Sequence, residues 1–138
     1  MRQGGDRDAD SPVRAILDTN VFVGGGFNRG SASARLVKAA RDGRLLLVWD
    51  PSTRGEIERI LNKIPRLSFA AVADLFLPAG AFDGDLDLAA VSFVEDAEDR
   101  KFAALSLATG APLVSSDDDL LSHADKLDVW KPSAFWSS

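Results

Sequence analysis

The residues of this chain that could do chemistry are carboxylates, and several fall where apolar runs end. Asp18 directly follows the run Val13–Leu17. Asp117 and Asp119 follow a second short run, residues 112–115. Asp99 stands where a helical apolar pattern begins, and Glu56 lies one residue from Ile57 and one turn before Ile60, at the edge of a buried helix face. Each has an ordinary reading: Asp99 caps a helix, Asp18 turns the chain, Glu56 is a surface charge. Gathered at one sheet edge, however, they would raise one another's pKa and strain the fold unless a cation neutralised them. Mg²⁺ and Mn²⁺ take oxygen ligands, and this set offers nothing else. Such a group can hold one ion, or two about 3.5–4 Å apart, which suits in-line attack on a phosphodiester.

The elements that must position these acids follow from apolar spacing and punctuation. Val13–Leu17 reads as a buried strand, and residues 24–26 with Gly30 as a loop. Ser31 or Ser33 caps a helix that runs to about Arg41, with Gly43 just past its end. Residues 45–49 form a second strand. Pro51 opens a helix in which Ile57, Ile60, Leu61 and Ile64 share a face, and Pro65 ends it. Phe69, Val72, Ala73 and Phe76 repeat that spacing and predict another helix, stopped by Pro78; it packs the core or forms part of a dimer or partner surface. Residues 83–87 read as an acidic turn and 88–94 as a strand. A helix resumes at Asp99 and closes on Gly110, residues 112–115 make a further strand, and residues 129–135 a terminal one. Strands alternating with helices predict one α/β domain, a mainly parallel sheet covered by helices on both faces, with its site beyond the carboxyl ends of the strands. Residues 1–12 have no apolar pattern and read as a flexible N-terminal tail before a domain over 13–138.

Composition narrows the chemistry further. The 138 residues include no cysteine and one histidine, His123, which excludes disulfide frameworks, thiolate metal sites and cysteine nucleophiles and weakens histidine-based catalysis. No apolar run approaches the roughly 18 residues of a membrane span, and the N-terminus lacks a signal-peptide core, so a cytoplasmic protein with no membrane partner is expected. A net charge of −5 argues at first against nucleic acid. The charge is uneven, though. Residues 29–66 hold nine basic and four acidic residues, a net +5, whereas residues 67–138 hold four basic and thirteen acidic, a net −9. Arg35, Arg41, Arg54, Arg59 and Lys63 are therefore candidates for a rim that holds a phosphate backbone, or solvated helix faces. A polyanion facing the acidic part needs a divalent ion between.

In their order, Asp18-Thr19-Asn20 after a leading strand, Glu56 on a helix opened by Asp50-Pro51-Ser52, the segment from Asp96 to Phe102, and Ser115-Ser116-Asp117-Asp118-Asp119-Leu120-Leu121 resemble the PIN-domain ribonucleases. The resemblance spans about residues 13–135. It implies a PIN-like domain and a Mg²⁺- or Mn²⁺-dependent endoribonuclease, most similar to VapC-type toxins of bacterial toxin–antitoxin pairs, with an antitoxin protein and a second copy of itself as partners. It assigns Asp18, Glu56, Asp99 and Asp117 as the four site acids and Asp119 as an extra acid near the ion. Asn20 and Ser115 match polar positions that bond the acids or a coordinated water. Ser116 departs from the family's usual Gly, and Ala97 from a frequent Pro. Asp96 and Glu98 stay open as alternatives to Asp99. Unpaired or looped RNA is the expected substrate, since its phosphates are accessible.

Two other classes compete. One is a PIN-like module that binds RNA or a protein without cutting; retention of all four acids argues against it. The other is a different α/β phosphotransfer fold. A phosphatase of the HAD type needs an acid where Asn20 stands, and a receiver domain needs an acidic pair before its phosphorylated Asp. A D-x-S-x-S adhesion site also fails at Asn20.

Overall fold

The structure, a computed structural model, describes residues 11–136. The expected tail falls mostly outside those residues. Four strands make one sheet: β1 (Val13–Leu17), β2 (Leu45–Leu47), β3 (Leu113–Val114) and β4 (Val129–Trp130), in the order β2-β1-β3-β4 and all parallel. Six α-helices accompany them: α1 (Thr19–Phe27), α2 (Ala32–Arg41), α3 (Pro51–Leu61), α4 (Ala97–Thr109), α5 (Asp118–Leu121) and α6 (Pro132–Phe135). Ala15, Ile16 and Leu17 are all buried. Successive strand residues face opposite sides, so β1 is covered on both, as a parallel sheet between helix layers must be.

From β1 the chain leaves toward β2 on one side, while β3 docks on the other, with Ile16 opposite Leu113 and Leu17 opposite Val114. The gap between the ends of β1 and β3 is therefore a topological switch point, where sites form in open parallel sheets. The amide of Asp18 donates to Val114 and that of Ser115 to Trp130, so the ladder runs right up to the acids.

Local chemistry sets the helix ends. Ser31 accepts the amide of Ala34 and starts α2. Asp50 accepts from Ser52 and Thr53, and Thr53 bonds back to the Asp50 amide, a capping box beside Pro51 at N1. Gly110, in the left-handed region at φ 75°, closes α4.

Four expectations fail. Residues 24–26 are not a loop but the last turns of α1; at Gly25 a side chain would meet the backbone of Ala34, so the missing Cβ lets α1 and α2 approach closely. Residues 69–75 form two short 3₁₀ turns instead of a helix. Their apolar residues do pack the core: Phe76 stacks on Phe22 at 5.9 Å and meets Phe69 at 5.2 Å, which removes these rings from any partner surface. Residues 88–91 are another 3₁₀ turn, not a strand, and Val91 and Val94 are buried from it. The terminal strand stops at Trp130 because Pro132 opens α6.

Candidate active site

Asp18, Thr19, Asn20, Glu56, Arg59, Asp96, Glu98, Asp99 and Asp117 line one cavity of about 260 Å³ at the switch point. Asp18 caps α1, its carboxylate accepting the amide of Val21 at 3.2 Å, and it is only 3% exposed. Burial is the main cause that pushes its carboxyl up from 3.8 to about 6; the Asp117 charge adds to this, and the bonds from Ser115 and Val21 oppose it. Ser115, fully buried at the end of β3, donates its hydroxyl to Asp18 and accepts the amide of Asp117 at 2.9 Å. One hydroxyl thus ties the two strand-end acids together.

Asp99 lies in the first turn of α4, half-buried, with Phe102 beneath it in the core. Its carboxyl is pushed up from 3.8 to about 8, first by burial, then by a hydrogen bond and charge shared with Asp117, and by the charges of Asp96 and Asp18. Its Oδ2 is buried without a hydrogen-bond partner, as is the hydroxyl of Thr19. An orphaned carboxylate oxygen among acids is what a cation would satisfy. The donors are all oxygen, which fits Mg²⁺ or Mn²⁺. Among the described residues, no three acids stand close enough to hold a metal ion without moving; closure on one requires their side chains to turn inward.

The alternatives to Asp99 separate by position. Asp96 is the N-cap of α4, accepting the Glu98 amide, and Glu98 is exposed and bonded to Lys101. Lys101 is the first cause that holds the Glu98 carboxyl below its ordinary value.

Of the other assigned residues, Asp119 lies outside the cavity, while Asn20 and Glu56 line it. Asp119 is not among the residues lining the cavity: its two oxygens accept the amides of Glu95 and Asp96, at 3.3 and 2.9 Å, and so hold the loop before α4. The side chain of Asn20 forms no hydrogen bond to the acids; its backbone amide is what bonds Asp18. Glu56 lines the opposite wall, its side chain 9% exposed, and pairs with Arg59 at 2.6 Å and Lys101 at 3.6 Å. Ser116, where Gly is usual, needs no left-handed backbone, since Arg66 is the sole non-glycine of positive φ among the described residues.

The five basic candidates disperse. Arg35 donates to Gly30, Arg41 to Asp74 and Ala71, and Arg54 pairs with Glu58 and lies over the Phe69 ring. Lys63 is exposed just beyond α3. Arg59 alone of the five lines the cavity. Lys101 was missed; its spacing from Glu98 repeats that of Arg59 from Glu56, so each helix carries an i, i+3 ion pair, but only the fold brings the two pairs together. His123 is partly buried against the Phe93 ring, 4.8 Å away, and lies outside the cavity. Trp130 contacts Phe135 and Arg44 lies over Trp136, so these rings pack within the fold and outside the cavity.

An all-parallel sheet with acids at its switch point defines an α/β domain with a carboxylate-lined cleft. A family model described as the PIN domain matches residues 14–119, so the chain belongs to the PIN domain family. PIN domains are usually nucleases, act on RNA and generally use divalent metals. No curated protein matches the chain. No helix among the described residues is long and apolar enough to cross a membrane.

Proposed function

We propose that this chain is a Mg²⁺- or Mn²⁺-dependent endoribonuclease that cuts single-stranded or looped RNA, and that it is the toxin of a toxin–antitoxin pair. The observation that carries the nuclease reading is the meeting of Asp18, Asp99 and Asp117 at the switch point, with Asp99 Oδ2 buried and unpartnered. Asp18, Asp99 and Asp117 would hold the ion. A bound divalent ion lowers the pKa of water and stabilises charge on the scissile phosphate. Ser115 donates to Asp18 Oδ2 and the Val21 amide to Oδ1, so both oxygens of that carboxylate are held in orientation. Asp99 retains its proton near neutral pH, so cation binding displaces that proton and strengthens as pH rises. Asp119 acts one step back, holding the loop that presents Asp96 and Asp99.

The antitoxin and the homodimer rest on the family resemblance. Size-exclusion chromatography with light scattering tests the second.

The competing reading, a PIN-like module that binds RNA or protein without cutting, draws on the separation of the acids as they stand. Titration with Mn²⁺ separates the two. The nuclease reading expects a rise in melting temperature and cleavage of single-stranded RNA that EDTA abolishes. A chain that shows neither is a scaffold.

A further inference from the structure

The wall facing Asp18 and Asp117 carries a four-residue charge cluster. Arg59 Nη2 lies 2.6 Å from Glu56 and 3.5 Å from Glu98, and Lys101 Nζ lies 3.0 Å from Glu98 and 3.6 Å from Glu56. Each glutamate therefore has two cations, and each cation two glutamates. The four are not equally accessible. Glu56 is 9% exposed and Lys101 21%, while Arg59 is 49% exposed and lines the cavity. Removing the partner of a buried carboxylate is costly, which normally pins an arginine in place. Here Lys101 remains on both glutamates when Arg59 leaves. The redundancy frees the one exposed cation of the cleft.

We propose that Arg59 is the substrate-anchoring residue: it hands Glu56 and Glu98 to Lys101 and takes a backbone phosphate of single-stranded RNA across from the acid group. For its substrate this rests on the ribonuclease reading. The planar guanidinium fork matches two phosphate oxygens. The adjacent negative wall needs a local positive anchor if a polyanion is to enter, and among the described residues Arg59 is the sole cation lining the cavity. Lys101 is a positioning residue, acting through Arg59.

The test is fluorescence anisotropy with a labelled single-stranded RNA, in Mn²⁺ and again in EDTA, over a salt series. Arg59→Ala should weaken binding roughly ten-fold and flatten the slope of log K against log salt by about 0.7, one single-strand phosphate contact. Arg59→Lys should keep the slope and recover part of the affinity. Lys38→Ala, which removes an exposed cation paired with Asp42 on α2, should change neither. Lys101→Met should weaken binding by trapping Arg59 on the buried Glu56, and Glu56→Gln on that background should restore it. Melting curves check that each variant folds. Equal affinity and slope for Arg59→Ala and the parent overturn the proposal, as does a parent that binds RNA in neither buffer. A chain that binds through Arg59 but never cuts in Mn²⁺ leaves this proposal standing and removes the nuclease reading. One that cuts, yet ignores Arg59→Ala, does the reverse.

Discussion

Ser115 donates its hydroxyl to the carboxylate of Asp18, a residue 97 positions earlier in the chain, and takes the Asp117 amide on the same oxygen. The sheet brings the two strand ends side by side; the hydroxyl sets the geometry of the acids on them. Ser115→Ala leaves a buried carboxylate short of a donor. We expect a loss of about 1–3 kcal/mol in stability, read from denaturant melts, and roughly ten-fold slower RNA cleavage. Ser115→Thr, which keeps the hydroxyl, should recover part of both.

Stability of the metal-free protein should fall as pH rises. Asp18 and Asp99 hold protons more tightly when folded than the ordinary 3.8, with values of about 6 and about 8. Their contribution is fully present below the ordinary value and is lost as pH rises through about 6 for Asp18 and about 8 for Asp99. Melting temperature in EDTA should decline across that window, and Mn²⁺ should offset the decline most at its upper end. A melting temperature that climbs between those values would refute the assignment.

Asp18→Asn should separate stability from function. Above about pH 6 it removes a buried charge, so the metal-free variant should melt no lower than the parent. Cleavage should drop by about a hundredfold or more, and the Mn²⁺-induced stabilisation should shrink. Full activity in this variant would place the ion elsewhere.

Asp119→Ala probes an anchor and not a ligand. Losing the bonds to the Glu95 and Asp96 amides should lower the melting temperature and slow cleavage. The number of Mn²⁺ ions bound, by calorimetry, should stay the same.

Two glycines should respond in opposite ways. A Cβ at Gly80 would lie 1.8 Å from the carbonyl oxygen of Leu47, in backbone that cannot step aside. Gly80→Ala should cost about 3 kcal/mol or more and disturb the Trp49 contact that leads into the Asp50 cap. At Gly26 the close atom is the mobile end of Leu67, and the position is helical. Gly26→Ala should be close to neutral, the gain in helix propensity offsetting the adjustment. Parallel denaturant melts read both.

Much of this was legible in the residues. β1, the capping signals at Ser31, Asp50-Pro51 and Gly110, and acids at strand ends all follow from local rules, so the cleft could be sketched before the fold was seen. Residues 69–75 resisted because 3₁₀ turns pressed on a core bury apolar residues at nearly the spacing of an α-helix, and residues 88–91 because a short apolar run has no period that separates a turn from a strand. The glycines at 24–26 misled because contact with Ser33 and Ala34 outweighs their poor helix propensity. Asp119 was indistinguishable from Asp117 by type and position along the chain. Only the loop it bonds separates them.

The order in which the elements pair along the sheet has a consequence for how the protein is made. β3 lies between β1 and β4 at the centre of the sheet, yet it is encoded after residue 112, and Ser115 and Asp117 come with it. A nascent or interrupted chain that ends before β3 has Asp18 and Asp99 but neither the strand that seats them nor the hydroxyl that joins them. The cleft is therefore assembled only once β3 has been made, since that strand brings the hydroxyl that joins its acids.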